Sequence, residues 1–85
     1  MQPDPPFWFN QRQGKAEPAG DNVLRLTAPN MKDSFIAIRP EGDRYTAALL
    51  AGAGGPDLAA TAAEFQTPEN AWEAAFELYR TNLVT

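Results

Sequence analysis

The side chains that most often carry out chemistry are absent from this sequence, which has no histidine and no cysteine among its 85 residues. The chain therefore has no thiolate nucleophile, no imidazole base, no disulfide and no ligand set for a tetrahedral zinc ion. The only serine, Ser34, lies in a predicted strand without a base to activate it. Glu41 and Asp43 form a carboxylate pair, but they fall in a predicted turn beside two arginines. We expect no enzymatic activity, no cofactor and no bound metal.

Phe7, Trp8 and Phe9 form a run of three adjacent aromatic residues near the amino terminus. Together they would bury on the order of several hundred Å² of apolar surface. Soluble monomers rarely leave such a patch exposed, which favours packing on an open face of the same domain or of a second copy. The alternative is a linear motif held out for a partner protein. If the run packs on a second copy or acts as a linear motif, these three residues bind the partner.

Arg25, Phe35, Arg39 and Arg44 form a second candidate site. If residues 40–43 make a four-residue hairpin loop, Arg39 lies opposite Arg44. Alternation along the strands then places all four side chains on one face of a sheet. Positive charge beside an aromatic ring is typical of surfaces that bind nucleic acid. The pattern therefore predicts a face for nucleic acid or another anion.

A third group, Glu69, Glu73 and Glu77, recurs every four residues and would form an acidic row on one side of a helix. Such a row is typical of a solvated helix face, with Arg80 offering partial charge relief. The alternatives are a docking patch for a basic partner or a weak cation site.

The length and composition of the chain indicate one small domain. Its formal net charge is −4 and its hydrophobic fraction is 44%, which is typical of a globular protein. All of the net negative charge comes from residues 45–85, because residues 1–44 carry six basic and six acidic side chains. A core this small is often supplemented by an interface, which favours a homodimer. Without a signal-peptide pattern or an apolar run of membrane-spanning length, we expect a cytoplasmic protein with no membrane partner.

The first half of the chain predicts a tail followed by strands. Residues 1–20 are rich in proline and are expected to form an amino-terminal tail that carries the aromatic run, whereas residues 21–85 form the domain. Alternating or β-branched stretches predict strands at 23–27, 34–39 and 44–50. In the hairpin between the last two, Ile38 is expected opposite Tyr45.

The second half contains one ambiguous and one clear segment. Residues 58–65 are short and apolar, so they could form a helix or a strand, and their place after a turn favours a fourth strand. Residues 68–82 predict a helix, with Thr67 as its N-cap and Pro68 at its first position. One stripe of this helix is apolar and is expected to pack on the sheet rather than to bind a ligand: Trp72, Ala75, Phe76, Tyr79 and Leu83.

These elements predict an α+β fold, an antiparallel meander of three or four strands with one carboxy-terminal helix packed on one face. Ile36, Ile38, Tyr45, Ala47 and Leu49 are expected on the face beneath the helix. A three-stranded antiparallel sheet followed by one helix resembles the arm-site DNA-binding domains of phage integrases and the plant ethylene-response factors. The resemblance is one of layout, and it implies an open sheet face that lies on DNA.

Two functions follow as expectations. The first is a small non-catalytic binding module for a protein partner, which also associates with itself. The alternative is a nucleic-acid-binding domain that uses the arginine-bearing sheet face. The net charge of −4 disfavours the alternative, because proteins that bind nucleic acid are usually basic.

Overall fold

The computed structural model describes residues 6–29, 33–52 and 55–84. Within these ranges the chain forms two α-helices, five strands and a closing π-helical segment. In order along the chain they are α1 (Phe7–Gln11), β1 (Lys15–Gly20), β2 (Val23–Thr27), β3 (Ser34–Glu41), β4 (Arg44–Leu50), β5 (Asp57–Ala60), α2 (Pro68–Tyr79) and the π-helical segment Arg80–Val84. No helix within the described residues is long and apolar enough to cross a membrane.

The five strands form one antiparallel sheet in the order β1-β2-β3-β4-β5. The predicted α+β class and the meander with a carboxy-terminal helix are confirmed, although the sheet has five strands instead of three or four. The additional strand is β1, which lies inside the predicted tail. Pro18 is compatible with β1 because that strand lies at the edge of the sheet, where a missing N–H costs little. Residues 7–20 are therefore folded with the domain, and the boundary predicted after residue 20 falls in the turn between β1 and β2.

The hairpin between β3 and β4 closes more tightly than predicted. Its turn consists of Gly42 and Asp43 alone, so that Glu41 pairs with Arg44 and Ile38 pairs with Ala47 instead of Tyr45. Gly42 has φ of 66°, the conformation that a two-residue hairpin turn requires at its first position. The predicted register is wrong by two residues. A shift of two leaves every side chain on its predicted face, because strand side chains alternate with a period of two.

The main core lies between α2 and the inner face of the sheet, formed by Leu24, Leu26, Ile36, Ile38, Ala47 and Leu49. α2 begins as predicted, since the Thr67 hydroxyl accepts a hydrogen bond of 3.2 Å from the Asn70 amide and Pro68 occupies the first turn. It contributes Trp72, Phe76 and Tyr79 to the core. The α-helical hydrogen-bonding pattern ends at Tyr79, three residues before the predicted end.

The ambiguous segment 58–65 forms a strand, as favoured, only in its first part, where β5 covers Asp57–Ala60. The chain leaves the sheet after Thr61, whose amide donates a hydrogen bond of 2.9 Å to the Ala47 carbonyl. It touches the sheet again at Phe65, whose carbonyl accepts a hydrogen bond of 2.8 Å from the Tyr45 amide. This second contact fixes the segment that leads into α2. It thereby sets one wall of the groove described below.

Candidate partner-binding site

The amino-terminal aromatic run forms α1, and the helix separates its three side chains. Phe9 is 1% exposed and belongs to the core, with its ring centroid 5.5 Å from that of Phe76 and 5.7 Å from that of Tyr79. Phe7 is 76% exposed. Successive residues of a helix point about 100° apart, so the three rings cannot face one partner together. The run packs on its own domain through Phe9, and a partner cannot reach that ring in the folded chain.

Gly14 allows the turn after α1 to pass close to the ring of Phe9. Its amide donates a hydrogen bond of 3.0 Å to the Phe9 carbonyl. A β-carbon at position 14 would lie 2.5 Å from the Phe9 ring, closer than atoms can approach without displacement. The turn after α1 is therefore matched to the buried ring.

Trp8 is half-buried and connects α1 to the carboxy-terminal end of α2. Its ring stacks on Tyr79 with a centroid separation of 6.3 Å and an interplanar angle of 19°. The guanidinium carbon of Arg80 lies 5.5 Å from the Trp8 ring centroid, within range of a cation–π contact. Burial raises the pKa of the Tyr79 hydroxyl above its ordinary value.

A groove of about 1060 Å³ lies between α1, the segment before α2 and one side of α2. Trp72 and Phe76, at most 6% exposed, form its floor together with the half-buried rings of Trp8 and Phe65. This volume lies just above the usual range for small-molecule sites. The lining residues are Pro6, Trp8, Glu64, Phe65, Gln66, Glu69, Asn70, Trp72, Glu73, Ala74, Phe76, Glu77 and Arg80.

The rim of the groove is acidic. Four glutamates line it, and Arg80 is the only basic residue among the described residues that do so. Arg80 Nη1 lies 3.6 Å from Glu77 Oε1, longer than a good charge-assisted hydrogen bond. The predicted acidic row of α2 therefore borders an aromatic groove and is more than a plain solvated face. No group of three or more metal-ligating side chains occurs in the described parts of the chain.

The predicted anion-binding face is the outer face of the sheet, the side away from α2. It carries Arg25, Phe35, Arg39 and Arg44, as the alternation predicts. Phe35 packs with Val23 on a small cluster that includes Ala37. The four residues thus share a face, but they do not form an open cationic patch.

Two of the three arginines on the outer face are engaged by aspartates. Arg39 makes two hydrogen bonds of 2.9 Å to the two carboxylate oxygens of Asp57 on β5. This contact raises the pKa of Arg39 and lowers the pKa of Asp57. Arg25 forms an ion pair with Asp33, including a hydrogen bond of 2.9 Å from Nε. Arg44 pairs in register with Glu41 at the turn.

Sequence reasoning missed the groove and the two aspartates for a common reason. Asp57 lies 18 residues after Arg39, and its partner is set by the register between β4 and β5, which contains a bulge. The groove likewise joins three separate segments. The only sequence signals were the acidic row of α2 and the aromatic run, and neither indicated that the two would meet.

Compared with protein-family models, with curated proteins and with solved structures, the chain matches none of them. The resemblance to the three-stranded DNA-binding domains rests on a layout that the five-stranded sheet does not share. Function is therefore inferred from the site alone.

Proposed function

We propose that this chain is a small non-catalytic module that binds a partner protein in the groove between α1 and α2. The observation that carries the proposal is the groove itself, a space of about 1060 Å³ with four aromatic rings at its base. Apolar concavities with a few polar groups at the rim are the usual form of a binding site. Aromatic side chains in such a place supply most of the binding energy of protein interfaces.

The position of α1 supports the same proposal. Phe9 anchors the helix in the core, so Trp8 is held at the groove without using its whole surface for packing. A pre-positioned aromatic wall reduces the entropy lost when a partner binds. Phe7 is exposed but does not line the groove, so the contribution of the aromatic run to the site is made by Trp8.

Nucleic-acid binding through the outer face has weaker support. A phosphate group would have to displace Asp57 from Arg39 and Asp33 from Arg25. The net charge of −4 adds repulsion from the phosphate backbone. Nucleic-acid binding is therefore the alternative that the experiment below distinguishes from partner binding.

Self-association remains a prediction that a measurement of molar mass by light scattering would decide. A dimer formed by two such grooves facing each other is disfavoured, because it would bring eight glutamates together against two arginines. A partner with the opposite charge suits the groove better than a second copy does.

The proposal can be tested with peptides selected from a random library for binding to the full chain. Asn70→Trp places a large side chain at an exposed position of the groove lining, whereas Ala60→Trp places the same side chain on the exposed strand β5. We expect Asn70→Trp to weaken the selected peptides by about tenfold or more and Ala60→Trp to leave them unaffected. Affinities would be measured by the anisotropy of labelled peptides.

Equal binding to the two variants would contradict the proposal. NMR shifts that the peptides cause on the outer face of the sheet would contradict the proposal as well. Short DNA and RNA of mixed sequence would be titrated separately at low and moderate salt. Shifts at the outer-face residues would support the nucleic-acid function instead, namely at Arg25, Phe35, Arg39 and Arg44.

A further inference from the structure

We infer that the groove accepts a basic amphipathic segment of a partner protein, and that Arg80 occupies its cation position until that segment binds. The inference rests on the proposed function and names the chemistry of the partner. It follows from the charges around the groove, from the rings at its floor and from the two contacts of Arg80.

The charge around the groove selects the sign of the partner. Glu64, Glu69, Glu73 and Glu77 line it with exposed side chains, against one arginine. For the hydrogen bonds that these carboxylates lose with water, an acidic segment would offer no charged donor and would add like charge, and a neutral segment would offer only weaker, uncharged donors. Lysine or arginine side chains on the partner would provide those hydrogen bonds at the rim.

The geometry of α2 sets the spacing of these charges. Glu69, Glu73 and Glu77 succeed each other at one-turn intervals, so the row is about 12 Å long at 1.5 Å per residue. Basic residues four positions apart on a partner helix have the same spacing. The aromatic floor next to the row takes the apolar side chains of the same segment. Both features together require a segment that is basic on one side and apolar on the other.

Arg80 already makes the two contacts that a cation from the partner would seek. Its guanidinium lies over the Trp8 ring at 5.5 Å and near the Glu77 carboxylate at 3.6 Å. The Arg80 side chain is 51% exposed, so both contacts compete with water and are weak. A partner that offers several cations and apolar side chains at once can displace it. Arg80 is therefore an internal competitor that lowers the affinity of the groove for its partner.

The choice of partner can be tested with three synthetic peptides of 16 residues that share the same leucines at helical spacing. The remaining positions carry lysine in the first, glutamine in the second and glutamate in the third. Both tryptophans of the chain line the groove, so their fluorescence reports binding directly. We expect the lysine peptide to bind about tenfold more tightly than the glutamine peptide and the glutamate peptide not to bind.

The outcomes separate the inference from the proposed function. If the glutamine peptide binds as tightly as the lysine peptide, the groove is a binding site but the inferred basic partner is wrong. If neither changes the tryptophan fluorescence while selected library peptides still depend on Asn70, the inference alone fails. If library peptides also bind independently of Asn70, both fail.

The role of Arg80 is tested with charge variants of the full chain. Arg80→Gln removes the competitor, and we expect it to bind the lysine peptide several-fold more tightly, whereas Arg80→Lys should bind like the wild type. Glu73→Gln should weaken binding several-fold. The matched control is Glu41→Gln, an equal change of charge at the end of β3, away from the groove lining.

Affinities for these variants would be compared by anisotropy of labelled lysine peptide, with melting temperatures recorded to confirm that each variant is folded. Binding to Arg80→Gln that is equal to or weaker than that of the wild type would overturn the competitor role. Equal losses in Glu73→Gln and Glu41→Gln would show attraction to net charge alone and would contradict the basic partner site.

Discussion

On the outer face of the sheet, Arg25 and Arg39 are each paired with an aspartate from another segment, whereas the groove on the other side carries four glutamates and one arginine. The two regions use the same types of charged residue in different ways. Ion pairs formed within the chain neutralise these two arginines and reduce the attraction of the outer face for an anionic ligand. Like charges gathered around an aromatic groove repel one another weakly, and a basic partner would relieve that repulsion.

The two regions also differ in how they are anchored. The outer face is built from strands that pair with their neighbours in sequence. The groove depends on α1, a five-residue helix that would not be stable alone. We therefore expect the groove to be lost when the contacts of α1 are removed, and the sheet to be less affected by the same change.

The largest effect is expected from Phe9→Ala, which removes the ring that holds α1 against Phe76 and Tyr79. Replacing a buried phenylalanine by alanine costs about 3–5 kcal/mol of unfolding free energy. Phe7→Ala, at an exposed neighbour, should change stability by less than about 0.5 kcal/mol. Urea unfolding followed by circular dichroism measures both. Equal losses in the two variants would mean that α1 is not anchored through Phe9.

A smaller loss is expected from Gly14→Ala, because the new methyl group would meet the Phe9 ring at 2.5 Å. Overpacking of this kind costs about 1–3 kcal/mol. Gly52→Ala is the matched control, since a β-carbon there has no atom within 4 Å. Thermal melting of both variants would test this. A Gly14→Ala variant as stable as Gly52→Ala would place the turn after α1 farther from Phe9 than described.

The smallest effect concerns the outer face. Asp57→Asn removes an exposed ion pair with Arg39 and should lower stability by no more than about 1 kcal/mol at neutral pH. The pKa of Asp57 is lowered by Arg39. The contribution of the pair is therefore present above the ordinary pKa and is lost as the pH falls through the lowered one. Urea unfolding of both proteins from pH 7 downward would check this. A difference that grows towards low pH would contradict the pairing.

The helix α2 and the two faces of the sheet follow from local patterns. Trp72, Phe76 and Tyr79 recur with helical spacing, and Thr67 and Pro68 mark the helix start. Ile36 and Ile38 alternate with Phe35 and Ala37, so both faces could be predicted although the hairpin register was two residues off. Periodicity therefore determines which side of an element is buried, and it does so even where the turn is misjudged.

The strand β1 could not be predicted from local patterns because its stability comes from pairing. Pro18 and Gly20 are unfavourable in strands, but β2 supplies an antiparallel partner from Lys15 to Gly20. Because β1 lies at the edge of the sheet, the backbone N–H that proline lacks is not needed there. The groove was unpredictable for a related reason. Trp8, Phe65 and Glu73 come from distant segments, and only the packing of Phe9 in the core brings the first of them to α2.

The proposed binding surface is the groove, and not the outer face of the sheet. Amide and indole NMR spectra of the full chain, titrated with the lysine peptide at moderate salt, test it most directly. Binding in the groove should shift both tryptophan indole signals and the amides of Phe65, Glu73 and Glu77, and leave the outer face unchanged. Shifts confined to Arg25, Phe35 and Arg39, with both indole signals unmoved, would contradict it.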